Sequence, residues 1–245
     1  MEGDALAERL AAVRARIARS AARSGRPAEA VRLVGASKTV PASRLVEALA
    51  AGLSDLGENR VQEAEAKIPQ VLGALPTGAA KPTWHLIGRL QSNKVRKAVG
   101  LFDWIHSVDS PRLADALDRV AAELGCAPRV LIEVNTAGEA SKAGVRPEET
   151  SALIEHVARL PRLELRGLMT VGPLVTAPEE ARPAFRALKA LLDQGRRAAP
   201  GMDTLSMGMS GDFEVAIEEG ATLVRVGSAL FGARPAAHPT NSRAR

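Results

Sequence analysis

The 245-residue sequence has no tyrosine, one cysteine, two tryptophans and four phenylalanines. A single cysteine cannot form an intramolecular disulfide, which excludes a small scaffold stapled by disulfides. Cys126 lies in the segment Gly125-Cys126-Ala127-Pro128, which is typical of a connection from a helix to a strand, so we expect an inert thiol. The shortage of aromatic side chains also argues against a binder of single-stranded nucleic acid, because such proteins stack bases on aromatic rings.

Long apolar runs are missing as well. No run reaches the length of a membrane span, and residues 1–20 alternate charged residues with alanine instead of building the core of a signal peptide. We therefore expect a soluble, cytoplasmic protein with no membrane partner. The 46% hydrophobic and 25% charged residues are typical of an ordinary globular protein.

The formal charge of +5 is concentrated at the two ends of the chain. Residues 1–30 carry six arginines and four acids, residues 234–245 carry three arginines and no acid, and the central body is neutral. A groove that follows a phosphate backbone needs clustered cations. We therefore expect no nucleic acid as a partner, and we keep a regulatory or nucleic-acid role of the basic termini only as an alternative.

The hydrophobic pattern predicts an N-terminal helix followed by alternating strands and helices. Residues 4–23 place Leu6, Leu10, Val13 and Ile17 at helical spacing. Strand-like runs follow at 31–37, 53–57, 84–88, 103–108, 129–135, 163–169, 203–208 and 222–226. Helix-like stretches lie near 41–51, 60–71, 91–99, 110–125, 147–160, 179–198 and 212–219.

Eight such units favour a single α/β domain, a closed (β/α)8 TIM barrel over residues 1–233. An open, doubly wound sheet is the alternative. No linker rich in serine, glycine and proline separates two halves of the chain. Residues 234–245 lack apolar periodicity, so we expect a disordered tail.

A barrel builds its functional face from the loops after its strands, which singles out Lys38. Only seven of the 33 basic residues are lysines, and Lys38 ends the apolar run LVGASK. A lysine in a partly desolvated barrel mouth has a lowered pKa, which makes its amine a nucleophile toward carbonyl compounds. The alternative is a lysine at a strand end that reaches for solvent.

Two small-residue segments follow the seventh and eighth strands. GMSGDFE contributes Ser210 and Gly211, and RVGSALFG contributes Gly227 and Ser228, each pair at the expected start of a helix. Free N–H groups at helix starts bind anions, and barrels commonly hold phosphate at this place. Simple N-capping by the two serines is the alternative. A reactive lysine facing a phosphate site predicts pyridoxal 5′-phosphate as the cofactor, held as a Schiff base on Lys38.

The ordered motifs between about Val31 and Gly232 resemble one family. They are VGASKTVP, LGENRVQEAEAK, WHLIGRLQSNKV, IHSVDS, GLMTV, LSMGMSGDFEVAI and TLVRVGSALFG. This series is similar to that of the pyridoxal phosphate homeostasis proteins, whose single barrel resembles the N-terminal domain of alanine racemase, a fold-type III cofactor-binding barrel. The resemblance implies an intracellular carrier or buffer of pyridoxal phosphate with little or no catalysis. Cofactor-free pyridoxal phosphate enzymes are its implied partners, and we expect a monomer.

The resemblance also implies roles for individual residues. Lys38 would be the Schiff-base lysine, Asn59, His85 and Met169 would lie near the cofactor, and Ser210, Gly211, Gly227 and Ser228 would contact the phosphate. Arg225 would face the pyridine nitrogen, and because arginine stays charged it would keep that nitrogen unprotonated and weaken the ring as an electron sink.

Three positions depart from the family pattern. Arg89 stands where proline or histidine is frequent, Gly211 where an acid is common and Ser228 where threonine is usual. Glycine and serine still offer a backbone amide and a hydroxyl, so phosphate binding is not threatened, and the role of Arg89 stays open. Lys142 is expected in a loop, with a second cofactor-reactive lysine as the alternative.

An amino-acid racemase is the competing enzymatic hypothesis. Racemases with this type of barrel use a lysine on one face of the cofactor and a tyrosine from a second domain on the other. This sequence has no tyrosine, and we expect no second domain after residue 233, so His85 or another group would have to substitute. The four histidines show no metal-ligand spacing, and no dinucleotide or GK[ST] phosphate-loop fingerprint occurs, so we expect no metal.

Overall fold

The computed structural model describes residues 2–139 and 142–232, so the expected disorder of residues 234–245 lies outside the described residues. The helices are α1 (Glu2–Arg23), α2 (Ala42–Ala50), α3 (Val61–Ala74), α4 (Val95–Leu101), α5 (Pro111–Leu124), α6 (Thr150–Val157), α7 (Arg182–Gly195), α8 (Phe213–Glu218) and α9 (Ser228–Phe231). The strands are β1 (Arg32–Ala36), β2 (Asp55–Glu58), β3 (Thr83–Leu86), β4 (Trp104–Val108), β5 (Arg129–Glu133), β6 (Glu164–Met169), β7 (Thr204–Ser206) and β8 (Leu223–Val226).

The eight strands form one closed parallel barrel. Each strand pairs with the next along the chain, and β8 pairs with β1. The predicted (β/α)8 barrel is therefore confirmed, and the open doubly wound sheet is wrong. Each β-prone run of the sequence overlaps one strand, and the ends of the two agree within a few residues.

The N-terminal helix packs on the outside of the barrel. Its predicted apolar stripe is buried and contacts α8 and α9. Arg26, just after α1, donates from Nη2 to the carbonyl oxygens of Ile217 and Ala221, at 2.6 and 3.0 Å. These bonds tie the start of the chain to the segment between α8 and β8, which precedes the expected phosphate loop.

Strong capping residues in the sequence determine where some helices begin and end, as α5 shows. Ser110 caps α5 through an Oγ that accepts the N–H of Leu113, and Pro111 occupies the first turn. Gly125 ends the same helix with a left-handed φ of 67°. Cys126 follows in a short connection to β5, partly exposed and without a disulfide partner among the described residues.

The inside of the barrel contains both polar and apolar side chains. Arg225, Val34 and Asp55 are neighbours in the register of β8, β1 and β2, and they share the inner face. Beside the polar groups, Trp104, Leu131 and Met169 form a small apolar cluster, with Val171 packed against it, and the Trp104 ring stacks on His85. The polar groups lead to the cavity described next.

Candidate functional site

A cavity of about 470 Å³ opens at the C-terminal ends of β1, β7 and β8. It has the position that the barrel fold predicts for a functional site. Six of the nine predicted cofactor residues line it: Lys38, Ser210, Gly211, Arg225, Gly227 and Ser228. Closure of β8 onto β1 brings them together, since Lys38 is 172 to 190 positions earlier in the chain than the others.

Lys38 follows β1 and is partly buried at the edge of this cavity. Within the described part of the chain, no hydrogen bond or ion pair engages its amine. A hydrogen bond anchors the backbone next to Lys38: the N–H of Thr39 donates to Glu63 Oε1 at 2.6 Å. Thr39 has a left-handed φ of 65°, an unfavourable conformation for a β-branched residue.

A buried ion pair holds the other side of the Lys38 backbone. Lys67 Nζ lies 2.5 Å from Glu58 Oε1 and donates to the carbonyl oxygen of Ser37 at 2.8 Å. Ser37 Oγ donates to the same Glu58 oxygen at 2.7 Å. Burial raises the pKa of Glu58, and the bonds from Lys67 and Ser37 oppose that shift.

Sequence reasoning missed Lys67 as a residue of this site. Its signal was the pair Glu63 and Lys67, four residues apart on one face of α3. That spacing shows that the two side chains can meet on the helix. It does not show that the pair reaches back to the loop after β1.

The side chain of Ser210 links the loop after β7 to the loop after β8 by hydrogen bonds. Its Oγ accepts the N–H groups of Gly227 and Ala229, at 3.2 and 3.3 Å. An oxygen atom therefore already occupies the position where backbone donors converge. The hydroxyl caps α9, not α8.

The helix predicted near residues 212–219 corresponds to α8, which begins at Phe213, so Ser210 and Gly211 lie in the turn just before it. In that turn the carboxylate of Asp212 accepts the N–H of Met209 at 2.6 Å. Both α8 and α9 are short, with six and four residues. An anion in this cavity would therefore depend on individual N–H and O–H donors more than on helix dipoles.

Arg225 is buried between the polar barrel interior and the cavity. Its Nη1 donates to Ser206 Oγ at 2.5 Å, and its Nη2 donates to the carbonyl oxygen of Thr170 at 2.8 Å. Burial lowers the pKa of Arg225 to about 10, against the favourable charges of Glu133 and Asp212. The guanidinium therefore stays charged at neutral pH, and its inward position agrees with the one expected from its flanking valines.

Glu133 ends β5 inside the same end of the barrel. Burial raises the pKa of Glu133 to about 7, although the charge of Arg225 favours the carboxylate. Its Oε2 is buried and has no hydrogen-bond partner among the described residues. This carboxyl group can gain or lose a proton near neutral pH, and sequence reasoning did not single it out.

Three predicted cofactor residues lie away from the cavity lining. His85 is buried inside the barrel, with Nε2 at 2.9 Å from Asp55 Oδ1 and Nδ1 at 3.0 Å from His106 Nε2. Met169 packs in the apolar cluster of the barrel. Asn59 is partly exposed after β2. Their roles near a cofactor stay predictions.

The two residues with open roles also lie elsewhere. The guanidinium of Arg89 is exposed, with Nε 4.0 Å from Asp109 Oδ2. Lys142 donates to the carbonyl oxygen of Gly172 at 2.8 Å and pairs with Glu139 Oε1 at 2.9 Å. The amine of Lys142 thus joins the loop after β5, through Glu139, to the segment after β6, through Gly172.

The described ranges contain no group of three or more histidine, cysteine, aspartate or glutamate side chains arranged to hold a metal ion. None of the helices within these ranges has the length and apolarity needed to cross a membrane.

The sequence is similar to known proteins over almost its whole length. The family model of the alanine racemase N-terminal domain matches residues 9–235. The pyridoxal phosphate homeostasis protein of Pseudomonas aeruginosa is 47% identical over 238 residues, which cover 96% of this chain and 99% of that protein. The protein of the same name from Aquifex aeolicus is 46% identical over 228 residues, or 93% of this chain and 97% of that protein.

A solved structure of a similar protein has the same fold. The structure of PipY from Synechococcus elongatus with pyridoxal phosphate bound superposes with a TM-score of 0.80 at 42% identity. The similarity covers 93% of this chain and 100% of that one.

Proposed function

Since the chain belongs to the pyridoxal phosphate homeostasis protein family, we propose that it binds pyridoxal 5′-phosphate in the cavity between Lys38 and Ser210. Its function is cofactor homeostasis, that is, holding and handing over pyridoxal phosphate inside the cell. The finer proposal is that it does so with little or no turnover.

One observation carries this proposal. An amine without a partner among the described residues, Lys38, shares a cavity with the hydroxyl groups of Ser210 and Ser228. When bound, pyridoxal phosphate supplies an aldehyde that condenses with a primary amine and a phosphate dianion that accepts hydrogen bonds. The residues present fit both groups. The hydroxyl of Ser210 can donate its hydrogen to a phosphate oxygen while its Oγ accepts the N–H groups of Gly227 and Ala229.

Arg225 supports the carrier role over an enzymatic one. A guanidinium only donates hydrogen bonds, and Arg225 is held by Ser206 and Thr170 while it lines the cavity. Facing the ring nitrogen of the cofactor, it would donate to that nitrogen and keep it unprotonated. An unprotonated pyridine stabilises carbanions poorly, which disfavours chemistry at the α-carbon of an amino acid.

Reduction with borohydride tests the proposal directly. Incubation with pyridoxal phosphate and borohydride is expected to attach one pyridoxyl group to Lys38, identified by peptide mass spectrometry. Lys142→Arg is the matched control, since Lys142 is engaged by Gly172 and Glu139 and its loss should leave the label in place. No binding, or a label that stays when Lys38 is replaced, would contradict the proposal.

Amino-acid racemization is the second candidate, and Glu133 is the observation that favours it. A carboxyl group with a pKa of about 7 inside the barrel mouth has the proton affinity of a general acid or base. His85 is less suitable, because Asp55 and His106 engage both of its ring nitrogens. Hydrogen exchange at the α-carbon of L- and D-alanine in deuterated water decides between the candidates, and exchange at enzyme-like rates would favour the racemase.

The remaining expectations belong to the same proposal. We propose that the protein acts in the cytoplasm as a monomer, without nucleic acid, and transfers the cofactor to cofactor-free enzymes. Light scattering tests the oligomeric state. A coupled assay tests transfer by following the activity that a cofactor-free transaminase recovers in the presence of the loaded protein.

A further inference from the structure

A continuous line of hydrogen bonds crosses the inside of the barrel. We call Asp55, His85, His106, Ser206 and Arg225 the interior chain. Its successive bonds measure 2.9 Å from Asp55 Oδ1 to His85 Nε2, 3.0 Å from His85 Nδ1 to His106 Nε2, 3.0 Å from His106 Nδ1 to Ser206 Oγ and 2.5 Å from Ser206 Oγ to Arg225 Nη1. All five residues are buried.

The Asp55 end of the interior chain fixes the direction of its bonds when both histidines are neutral. Ionised Asp55 can only accept, so His85 donates to it from Nε2. A neutral His85 then accepts at Nδ1 from His106 Nε2, which leaves His106 Nδ1 to accept the hydroxyl hydrogen of Ser206. Arg225 can only donate, and its bond to Ser206 Oγ is compatible with this assignment, because a hydroxyl oxygen can accept while its own hydrogen is donated elsewhere. Each histidine is then neutral and protonated at Nε2.

The electrostatics agree with this assignment. Burial lowers the pKa of His85 and of His106, and the charge of Arg225 lowers the pKa of His106 further. Burial opposes ionisation of Asp55, but hydrogen bonds from His85 and Ser54 outweigh it and hold the pKa of Asp55 below its ordinary value. The interior chain thus joins a buried cation to a buried anion through neutral groups.

The ends of the interior chain reach different surfaces of the barrel. Arg225 lines the cavity that contains Lys38. Asp55 lines a groove beside α1 at the N-terminal ends of the strands and pairs with Arg32 at 3.5 Å. The interior chain therefore joins the cavity end of the barrel to its N-terminal end by successive hydrogen bonds.

We propose that Asp55, His85, His106 and Ser206 are positioning residues that fix the guanidinium of Arg225 and thereby set its hydrogen bond to the ring nitrogen of the cofactor. The hydrogen bond from Arg225 to the ring nitrogen rests on the proposed function, whereas the arrangement of the interior chain does not. This gives His85 an indirect role, through Arg225.

The first test uses the full-length protein stripped of cofactor. Nitrogen-15 NMR of the histidine side chains at pH 7.5 should show His85 and His106 neutral and protonated at Nε2. A charged ring, or protonation at Nδ1, would overturn the proposal whether or not pyridoxal phosphate binds. If the tautomers hold and the cofactor does not bind, only the proposed function fails.

The second test interrupts the chain at Ser206. Ser206→Ala removes one hydroxyl, while Ser206→Thr keeps it. Ser107→Ala is the matched control, because Ser107 is a buried serine whose Oγ has no partner among the described residues. We expect at least tenfold faster solvent exchange of the Arg225 guanidinium hydrogens in Ser206→Ala, with Ser206→Thr and Ser107→Ala close to wild type.

The third test reads the cofactor itself with pyridoxal phosphate labelled with nitrogen-15 in the ring. Ser206→Ala and Asp55→Asn are both expected to move the ring nitrogen resonance away from its wild-type position, in the same direction. Ser107→Ala should not move it. If Ser206→Ala matches Ser107→Ala in both guanidinium exchange and the ring resonance, the interior chain is only structural and the proposal is wrong.

Discussion

The ammonium group of Lys67 donates a 2.8 Å hydrogen bond to the backbone carbonyl oxygen of Ser37, the residue immediately before Lys38. Lys67 also neutralises the buried carboxylate of Glu58, so one side chain on α3 serves both the fold and the placement of Lys38. The path of the backbone at Lys38 thus depends on a helix that contributes no residue to the cavity lining among the described residues.

Replacing Lys67 is expected to affect stability and the reactivity of Lys38 together. Lys67→Met leaves Glu58 buried without a counter-charge, which should cost about 3–5 kcal/mol of unfolding free energy, measured in urea. It should also slow borohydride-trapped labelling of Lys38, because the carbonyl of Ser37 loses its donor. The double variant Glu58→Gln/Lys67→Met should recover part of the stability without recovering the labelling rate. Recovery of both would mean that the pair has no effect on Lys38.

Covalent capture and anion binding should be separable. Lys38→Ala is expected to abolish borohydride labelling and to keep measurable affinity for pyridoxal phosphate, because the hydroxyl groups of Ser210 and Ser228 remain in the cavity. Gly227→Asp should weaken binding more than tenfold, because its carboxylate repels the phosphate and its Cβ would lie 3.3 Å from the carbonyl oxygen of Ala36.

Equilibrium titration of both variants measures this difference. Gly211→Ala is the control for a tolerated change in the same cavity, because a Cβ there meets no atom within 4 Å. If Lys38→Ala eliminates all affinity and Gly227→Asp is harmless, the phosphate site does not lie between β7 and β8.

Glu133 should make stability depend on pH. Its pKa of about 7 in the folded protein is above the ordinary 4.5, so its protonated form favours the folded state. That contribution is complete below about pH 4.5 and is lost as the pH rises through about 7. Glu133→Gln has no carboxyl group to titrate, so it avoids this loss of stability. The difference in unfolding free energy between the variant and wild type should therefore shift by about 1–3 kcal/mol in favour of the variant between pH 5 and pH 8.

Urea unfolding at pH 5, 6.5 and 8 checks this trend. Glu180→Gln, at an exposed position, is the matched control and should follow wild type at every pH. A difference between Glu133→Gln and wild type that stays constant with pH would contradict a raised pKa for Glu133.

Gly167 should tolerate no side chain. A Cβ at this position in β6 would lie 1.9 Å from the carbonyl oxygen of Thr204 in β7, and two paired backbones cannot separate without opening the barrel. Gly167→Ala is therefore expected to cost at least about 4 kcal/mol in urea unfolding, or to prevent folding. Gly73→Ala, inside α3 with no atom within 4 Å of the added Cβ, should be neutral or stabilising by about 0.5–1 kcal/mol. Equal effects of the two changes would contradict this account.

Much of the barrel could be predicted from local patterns. The run LVGASK predicted a buried strand ending in a lysine, and TLVRVG predicted a strand with an arginine directed inward. Both strands are present, and Arg225 is buried as expected. The order of the elements also predicted that Lys38 would meet the loops after β7 and β8, because all eight strands end at one face of a barrel.

Helix boundaries and caps were harder to predict. Ser210 lies in the turn before α8, where Asp212 accepts the N–H of Met209, and its hydroxyl instead accepts an N–H at the start of α9, a helix that follows a different strand. A serine next to a glycine predicts a nearby cap. It does not show which of two adjacent loops will use the hydroxyl.

The succession of strands and helices, the apolar stripe of α1 and the position of Lys38 after the first strand all follow from the order and spacing of neighbouring residues, so they can be read from the sequence. The tertiary structure alone decided that Lys67 reaches Ser37 and that Asp55, His85, His106, Ser206 and Arg225 form one line of hydrogen bonds. These partners come from different elements and as many as 100 positions apart along the chain. Only the register and closure of the barrel bring their donors and acceptors within 3 Å, and burial then requires that each find a partner.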